Sequence, residues 1–118
     1  MTQTPVTQAP TLAGDQAFHD SAHYCQAVTR REARNFYYGL RLTPEPKRSA
    51  MYAVYAWMRA ADDLADEQAP KDQKLEQIEL FRQATHHAVA QGQAPANVPA
   101  IHEPMWPAVA KTFARYQV

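Results

Sequence analysis

Between Pro46 and Glu67 the chain carries one pattern that limits its fold more than any other. Arg48, Tyr52, Tyr55, Arg59, Asp62 and Asp66 follow one another at spacings of 4, 3, 4, 3 and 4. At about 100° per residue, these six side chains share one helical stripe roughly 80° wide. The run therefore predicts a helix, and the stripe predicts a site. Two basic residues, two tyrosines and two carboxylates are poor material for a core. They suit a metal-bridged anion held beside an aromatic-lined cavity.

The rest of the chain reads as six more segments. Residues 1–14, rich in Thr, Gln, Pro and Ala, predict a disordered leader, and 15–118 predict one helical domain. From Asp15 to about Arg34 a helical pattern places Ala17, Phe18, Cys25, Val28 and Ala33 among polar residues. Residues 35–44 form a short aromatic connection ending in Pro44, with Thr43 as the expected N-cap of the helix that follows. After Pro70, residues 72–91 predict a helix with Leu75, Ile78, Leu80, Phe81, Ala84, Ala88 and Val89 on its apolar side. Four prolines make 92–107 a loop, and 107–116 a last helical piece with Val109, Phe113 and Tyr116. No useful run alternates with period two, and three glycines are too few for a turn-rich β fold. The expected class is all-α.

Composition removes several kinds of function. Twelve basic and twelve acidic residues cancel, which leaves no electrostatic footprint for nucleic acid. A single cysteine, Cys25, forms no internal disulfide and reads as a small core residue, which points to a reducing, cytoplasmic home. The longest uncharged apolar run, residues 50–58, is too short to span a bilayer, and the N-terminus lacks the pattern of a signal peptide.

Each candidate residue has a plain reading beside its functional one. Asp62 and Asp66, one turn apart, can project toward a common point, and Mg²⁺ is typically held by one or two carboxylates plus substrate phosphates. Arg59 could meet those phosphates in bidentate fashion. The plain alternative is a solvated acidic helix end. Against it, acids at a helix C-terminus oppose the macrodipole, by about 0.3–1 kcal/mol each. Phe36, Tyr37 and Tyr38 are either core anchors or walls of a channel whose π faces favour cations. His19 and His23 are one turn apart without a third ligand, and with His86 and His87 they read as surface residues. Trp57 and Met58 are expected to pack against neighbouring helices.

Taken together, Phe36-Tyr37-Tyr38-Gly39-Leu40-Arg41-Leu42, Pro44, Arg48, residues 50–56, Arg59 and Asp62-Asp63-Leu64-Ala65-Asp66-Glu67 resemble the squalene/phytoene synthase family of head-to-head prenyl transferases. The aspartate-rich motif alone would name only a superfamily of prenyl synthases and terpene cyclases; the upstream aromatic segment and the Tyr55/Arg59 pairing point to the head-to-head branch. The resemblance implies the N-terminal part of an isoprenoid-synthase-type helical bundle. It implies that Asp62 and Asp66, assisted by Asp63, bind Mg²⁺ bridging to a prenyl diphosphate. Arg59 resembles the family's diphosphate contact, Tyr55 a tyrosine beside the reacting allylic carbons, and Phe36 a residue lining the prenyl channel. Arg48 and Tyr52 complete the expected substrate-binding stripe. Where the family often has serine three residues before the phenylalanine, this chain has Ala33.

The implied reaction couples two farnesyl or geranylgeranyl diphosphates, C1 to C1′ through a cyclopropyl intermediate, toward phytoene or, with NADPH, squalene. Such products imply peripheral membrane contact. The family also carries a second aspartate-rich motif far downstream, and none follows Glu67 here. The expectation is therefore that this stretch alone is inactive, the second motif coming from a further C-terminal part or a second chain. The competing expectation is a non-catalytic helical assembly module of the same ancestry.

Overall fold

A computed structural model describes residues 4–66, 68–93 and 104–116, with side chains from Gln16 onward. Among the described residues there are five α-helices and no strand: α1 (Thr4–Glu32), α2 (Arg34–Leu40), α3 (Lys47–Asp66), α4 (Lys71–Gln91) and α5 (Trp106–Tyr116). The all-α class is as the sequence predicts. The backbone of α1 already runs from Thr4, so it includes most of the stretch expected to be a leader; the side chains there lie outside the described residues. The remainder of the 92–107 loop, residues 94–103, also lies outside them.

The aromatic connection is itself helical, which the sequence reading does not anticipate. Ala33 leaves helical geometry at φ −140° and ψ 63°, yet its N–H still bonds to the Thr29 carbonyl and its carbonyl still accepts from Tyr37. Just upstream, the Thr29 hydroxyl donates to the Cys25 carbonyl at 2.9 Å, a back-bond that bends helices. The chain thus turns at Ala33 and starts α2 with little loss of backbone hydrogen bonding.

At the start of α3 the side-chain cap is Glu45 rather than Thr43. Its carboxylate accepts from the Ser49 backbone N–H at 2.9 Å and from the Ser49 hydroxyl at 2.7 Å. Burial pushes its pKa up, but these two bonds and Arg48 outweigh that and hold the carboxyl below its ordinary value.

Helix α3 is the central element, packed by α1, α4 and α5. Its core face is Tyr52, Ala53, Ala56, Ala60 and Leu64, mostly small residues that let neighbouring helices approach closely. The largest fully buried side chain is Trp106 at the start of α5. Trp57, Phe81, Trp106 and Phe113 form a linked aromatic group with ring centroids 5.6–6.0 Å apart. Within it the Trp57 indole N–H donates to Thr85 at 3.0 Å, and Thr85 passes its own hydroxyl to the Phe81 carbonyl. Across the bundle, the N–H of Ala108 donates to the buried Ser21 hydroxyl at 2.9 Å, pinning α5 onto α1. Gly92 ends α4 in the left-handed region at φ 65°, where its N–H reaches the Ala88 carbonyl.

Several expected core positions are correct and others are not. Cys25, Val28, Phe81, Ala84, Ala88, Val109 and Phe113 are buried. Leu75, Ile78, Val89 and Tyr116 are exposed, because α4 and α5 each meet the bundle along a narrower strip than their apolar residues span. Met58, expected to pack between helices, is 50% exposed, while its neighbour Trp57 does pack. All four of His19, His23, His86 and His87 are exposed, as expected for surface positions.

Candidate functional site

The predicted stripe straddles a boundary. Placing Arg48 at zero on a wheel of about 100° per residue, Tyr52 falls near the core face while Tyr55 and Asp62 fall toward the opposite side. Tyr52 is accordingly buried, and it stacks on Tyr37 with centroids 5.6 Å apart. Burial raises its pKa, with Tyr37 adding to the effect. Tyr55 stays partly open and meets Phe36 of α2 at 5.8 Å. One stripe in the sequence thus becomes three surroundings along a single helix.

The first lies at the C-terminal end of α3. Arg59 is placed between two carboxylates, Nε 3.2 Å from Asp63 and Nη2 3.4 Å from Glu32. Asp63 first and Glu32 second raise its pKa above the ordinary value, so it is charged at any working pH. Glu32 in turn is held below the usual carboxylate range, first by its 2.8 Å bond from Arg31 and then by Arg59. The Arg59 Nε atom is shut off from water, and its approach to Asp63 lacks hydrogen-bond alignment. Among the described residues this buried donor is left without a hydrogen-bond acceptor.

Asp62 and Asp66 behave differently from Asp63. Both are exposed, and neither has an ion-pair partner among the described residues. No basic residue occupies the last turn of α3, so the helix dipole opposes these charges. Among the described residues no three His, Cys, Asp or Glu side chains gather into a metal cage. Two hard carboxylates one turn apart nonetheless fit Mg²⁺, which needs only one or two protein ligands when phosphate oxygens and water complete its shell. Of the three aspartates, Asp63 fits least, because it is engaged by Arg59.

The second setting is an apolar groove along the same side of α3, about 230 Å³ in volume and lined by Phe36, Met51, Val54, Tyr55 and Met58. No other described helix covers it, which leaves Phe36 43% exposed. The third setting, around Arg48 and Tyr52, is a polar cavity at the other end of the helix. Arg48 and Asp62 are 14 residues apart in sequence, about 21 Å along the helix axis. The structure sets Phe36 against Tyr55 and Arg59 between Asp63 and Glu32, with Asp62 and Asp66 three and seven residues beyond Arg59 on the same helix, while Arg48 and Tyr52 line a separate polar cavity.

Sequence reasoning missed Glu32. It lies on α1, and its only signal was its place four residues before Phe36. Met51, Val54 and Met58 were legible as apolar, but the exposure of Met51 and Met58 was not.

Comparison with known proteins agrees with the resemblance. The squalene/phytoene synthase family model matches residues 29–118. A phytoene synthase of Mycobacterium bovis is 44% identical over 59 residues, covering 50% of this chain and 20% of that protein. A phytoene synthase of Arthrospira platensis is 31% identical over 78 residues, covering 66% of this chain and 25% of the relative. A presqualene diphosphate synthase of Rhodopseudomonas palustris is 38% identical over 48 residues, covering 41% and 17%. The chain thus spans a quarter or less of the length of these relatives. No solved structure matches it.

Proposed function

Because the chain belongs to the squalene/phytoene synthase family, we propose that it forms the first aspartate-rich part of a prenyl transferase that joins two prenyl diphosphates head to head. Its relatives are named phytoene synthase and presqualene diphosphate synthase, and both names fit this reaction class. The observation that carries the reading is at the C-terminal end of α3. Asp62 and Asp66 stand exposed, with no ion-pair partner among the described residues, on the helix that also carries the charged Arg59 and one wall of the open apolar groove.

Each group has a physical task in that reaction. Ionisation breaks the allylic C1–O bond, and the electron pair leaves with the diphosphate. Asp62 and Asp66 would hold Mg²⁺, which when bound would supply positive charge to this leaving group. Arg59, 41% exposed, donates to phosphate oxygens through the terminal nitrogens of its guanidinium. Phe36 and Tyr55 keep water from the allylic cation and turn π density toward it. Met51, Val54 and Met58 line the path for the hydrocarbon tail.

The test is binding of farnesyl and geranylgeranyl diphosphate, measured calorimetrically with Mg²⁺ and with EDTA. Mg²⁺ should tighten binding by about tenfold or more, and Asp62→Asn with Asp66→Asn should abolish that gain while helical circular dichroism is unchanged. Mg²⁺-independent binding in the wild type, or full retention in the double variant, overturns the reading.

A second reading rests on Glu32. A carboxylate paired with Arg59 occupies the place an anionic substrate needs, which suits a non-catalytic assembly protein. Glu32→Gln separates the two. Tighter diphosphate binding in the variant marks Glu32 as a gate on a working site, whereas no binding in either protein favours the assembly role.

A further inference from the structure

The polar cavity at the N-terminal end of α3 carries a charge imbalance that the prenyl-transfer reading does not use. It lies where α1, α2 and the start of α3 meet, has a volume of about 420 Å³, and is lined by Arg30, Arg41 and Arg48 together with tyrosine hydroxyls. One carboxylate, Glu45, lines it as well, and that group already accepts two bonds from Ser49 besides its 3.4 Å contact with Arg48. Three guanidinium groups against one carboxylate leave two positive charges uncompensated. Among the described residues, neither Arg30 nor Arg41 has a carboxylate within 4.0 Å. Like charges facing one cavity repel, and an anion relieves that repulsion.

The donors are also held in place. Arg48 is anchored by a 3.3 Å bond to the Arg41 carbonyl, which fixes its fork at the cavity wall. Arg30 lies over the Tyr37 ring, 5.9 Å from its centroid. The Tyr37 hydroxyl accepts from Gln26 at 3.2 Å and so keeps its own proton to donate. Planar guanidinium groups and hydroxyls converging on one space match the oxygens of a phosphate. An adjoining cleft, lined by Arg31 and Arg34 and sharing Arg30 and Tyr37, extends the basic surface outward.

We infer that this cavity is a second anion site, distinct from the aspartate-rich end of α3, that binds the phosphate of a phosphate ester through Arg30, Arg41 and Arg48 without a metal ion. Two sources share that chemistry, a soluble phosphate ester and the headgroup of an anionic phospholipid. Arg30→Gln with Arg41→Gln tests it, since both residues are exposed and neither has an ion-pair partner among the described residues, so that their loss should leave the fold intact. Three probes are used, all in EDTA: glycerol 3-phosphate by calorimetry, vesicles of phosphatidylglycerol by co-sedimentation, and vesicles of phosphatidylcholine as the neutral control.

Binding of glycerol 3-phosphate, weakened about tenfold or more in the double variant, supports the site with a soluble ligand. Binding of phosphatidylglycerol vesicles alone, lost in the same variant and absent with phosphatidylcholine, supports it with lipid as the source. Arg30→Lys with Arg41→Lys should restore part of the binding, because charge returns without the fork. Asp62→Asn with Asp66→Asn should bind as the wild type does, which keeps this site separate from the Mg²⁺ site. No binding to either anionic probe, or equal binding by the wild type and the Arg30→Gln, Arg41→Gln variant, overturns the inference.

Discussion

Trp57, Phe81, Trp106 and Phe113 on one side of α3, and Phe36 and Tyr55 on the other, use the same kind of side chain to opposite ends. The first group is closed. Trp57 reaches α4 and α5 at once, and Trp106 and Phe113 seal the space from the far side. The second group has only the short α2 against α3, and it leaves a groove whose lining residues include Met58, 50% exposed. Closure depends on how many helices converge, not on how aromatic the segment is. An aromatic pair left uncovered beside an apolar groove is the kind of surface the proposed prenyl diphosphate would need.

That contrast can be broken from the closed side first. Trp106→Ala should remove about 3–5 kcal/mol from unfolding measured in urea, the range for deleting a large buried aromatic. Trp106→Phe should cost much less, because it also removes a buried indole N–H that has no partner among the described residues. Equal and small losses for both would mean the cluster is not closed in solution.

The next effect is on pH. Burial pushes the Cys25 thiol up to about 12 from an ordinary value of 9.0. Above pH 9 the unfolded chain therefore releases a proton that the folded chain retains, and stability falls as pH rises toward 12, by at most about 1.4 kcal/mol per pH unit. Tyr24 and Tyr52 are raised by burial too and add to the fall above pH 10. Urea midpoints for wild type and Cys25→Ala between pH 8.5 and 10 check this, and the variant should lose the part of the slope that begins near pH 9.

The smallest effect on stability belongs to the open side. Phe36→Ala should change unfolding by no more than about 1 kcal/mol, since the ring is 43% exposed, while weakening prenyl diphosphate binding about tenfold. A large stability loss with unchanged binding would make Phe36 another core residue and erase the comparison.

Much of the fold was legible in the chain itself. Helix α3 was expected from Pro46 to Glu67 and runs from Lys47 to Asp66; α4 was expected from Asp72 and starts at Lys71. Cys25 was expected in the core and is fully buried. These succeeded because period, proline positions and apolar spacing act within a few residues. The break at Ala33, the Glu45 cap and the pairing of Arg59 with Glu32 were not legible, since each depends on a backbone turn or on a second helix.

The sequence by itself determined that α3 carries tyrosines, arginines and aspartates in one helical register, because that register follows from 3.6 residues per turn alone. Only the tertiary structure decided how the stripe is divided. With α1, α4 and α5 packed on one side, Tyr52 goes into the core and Arg48 into a basic cavity. Glu32 from α1 draws Arg59 aside, and Asp62 and Asp66 are left facing out. A helix fixes which residues share a face, but its neighbours fix whether that face is covered, paired or open.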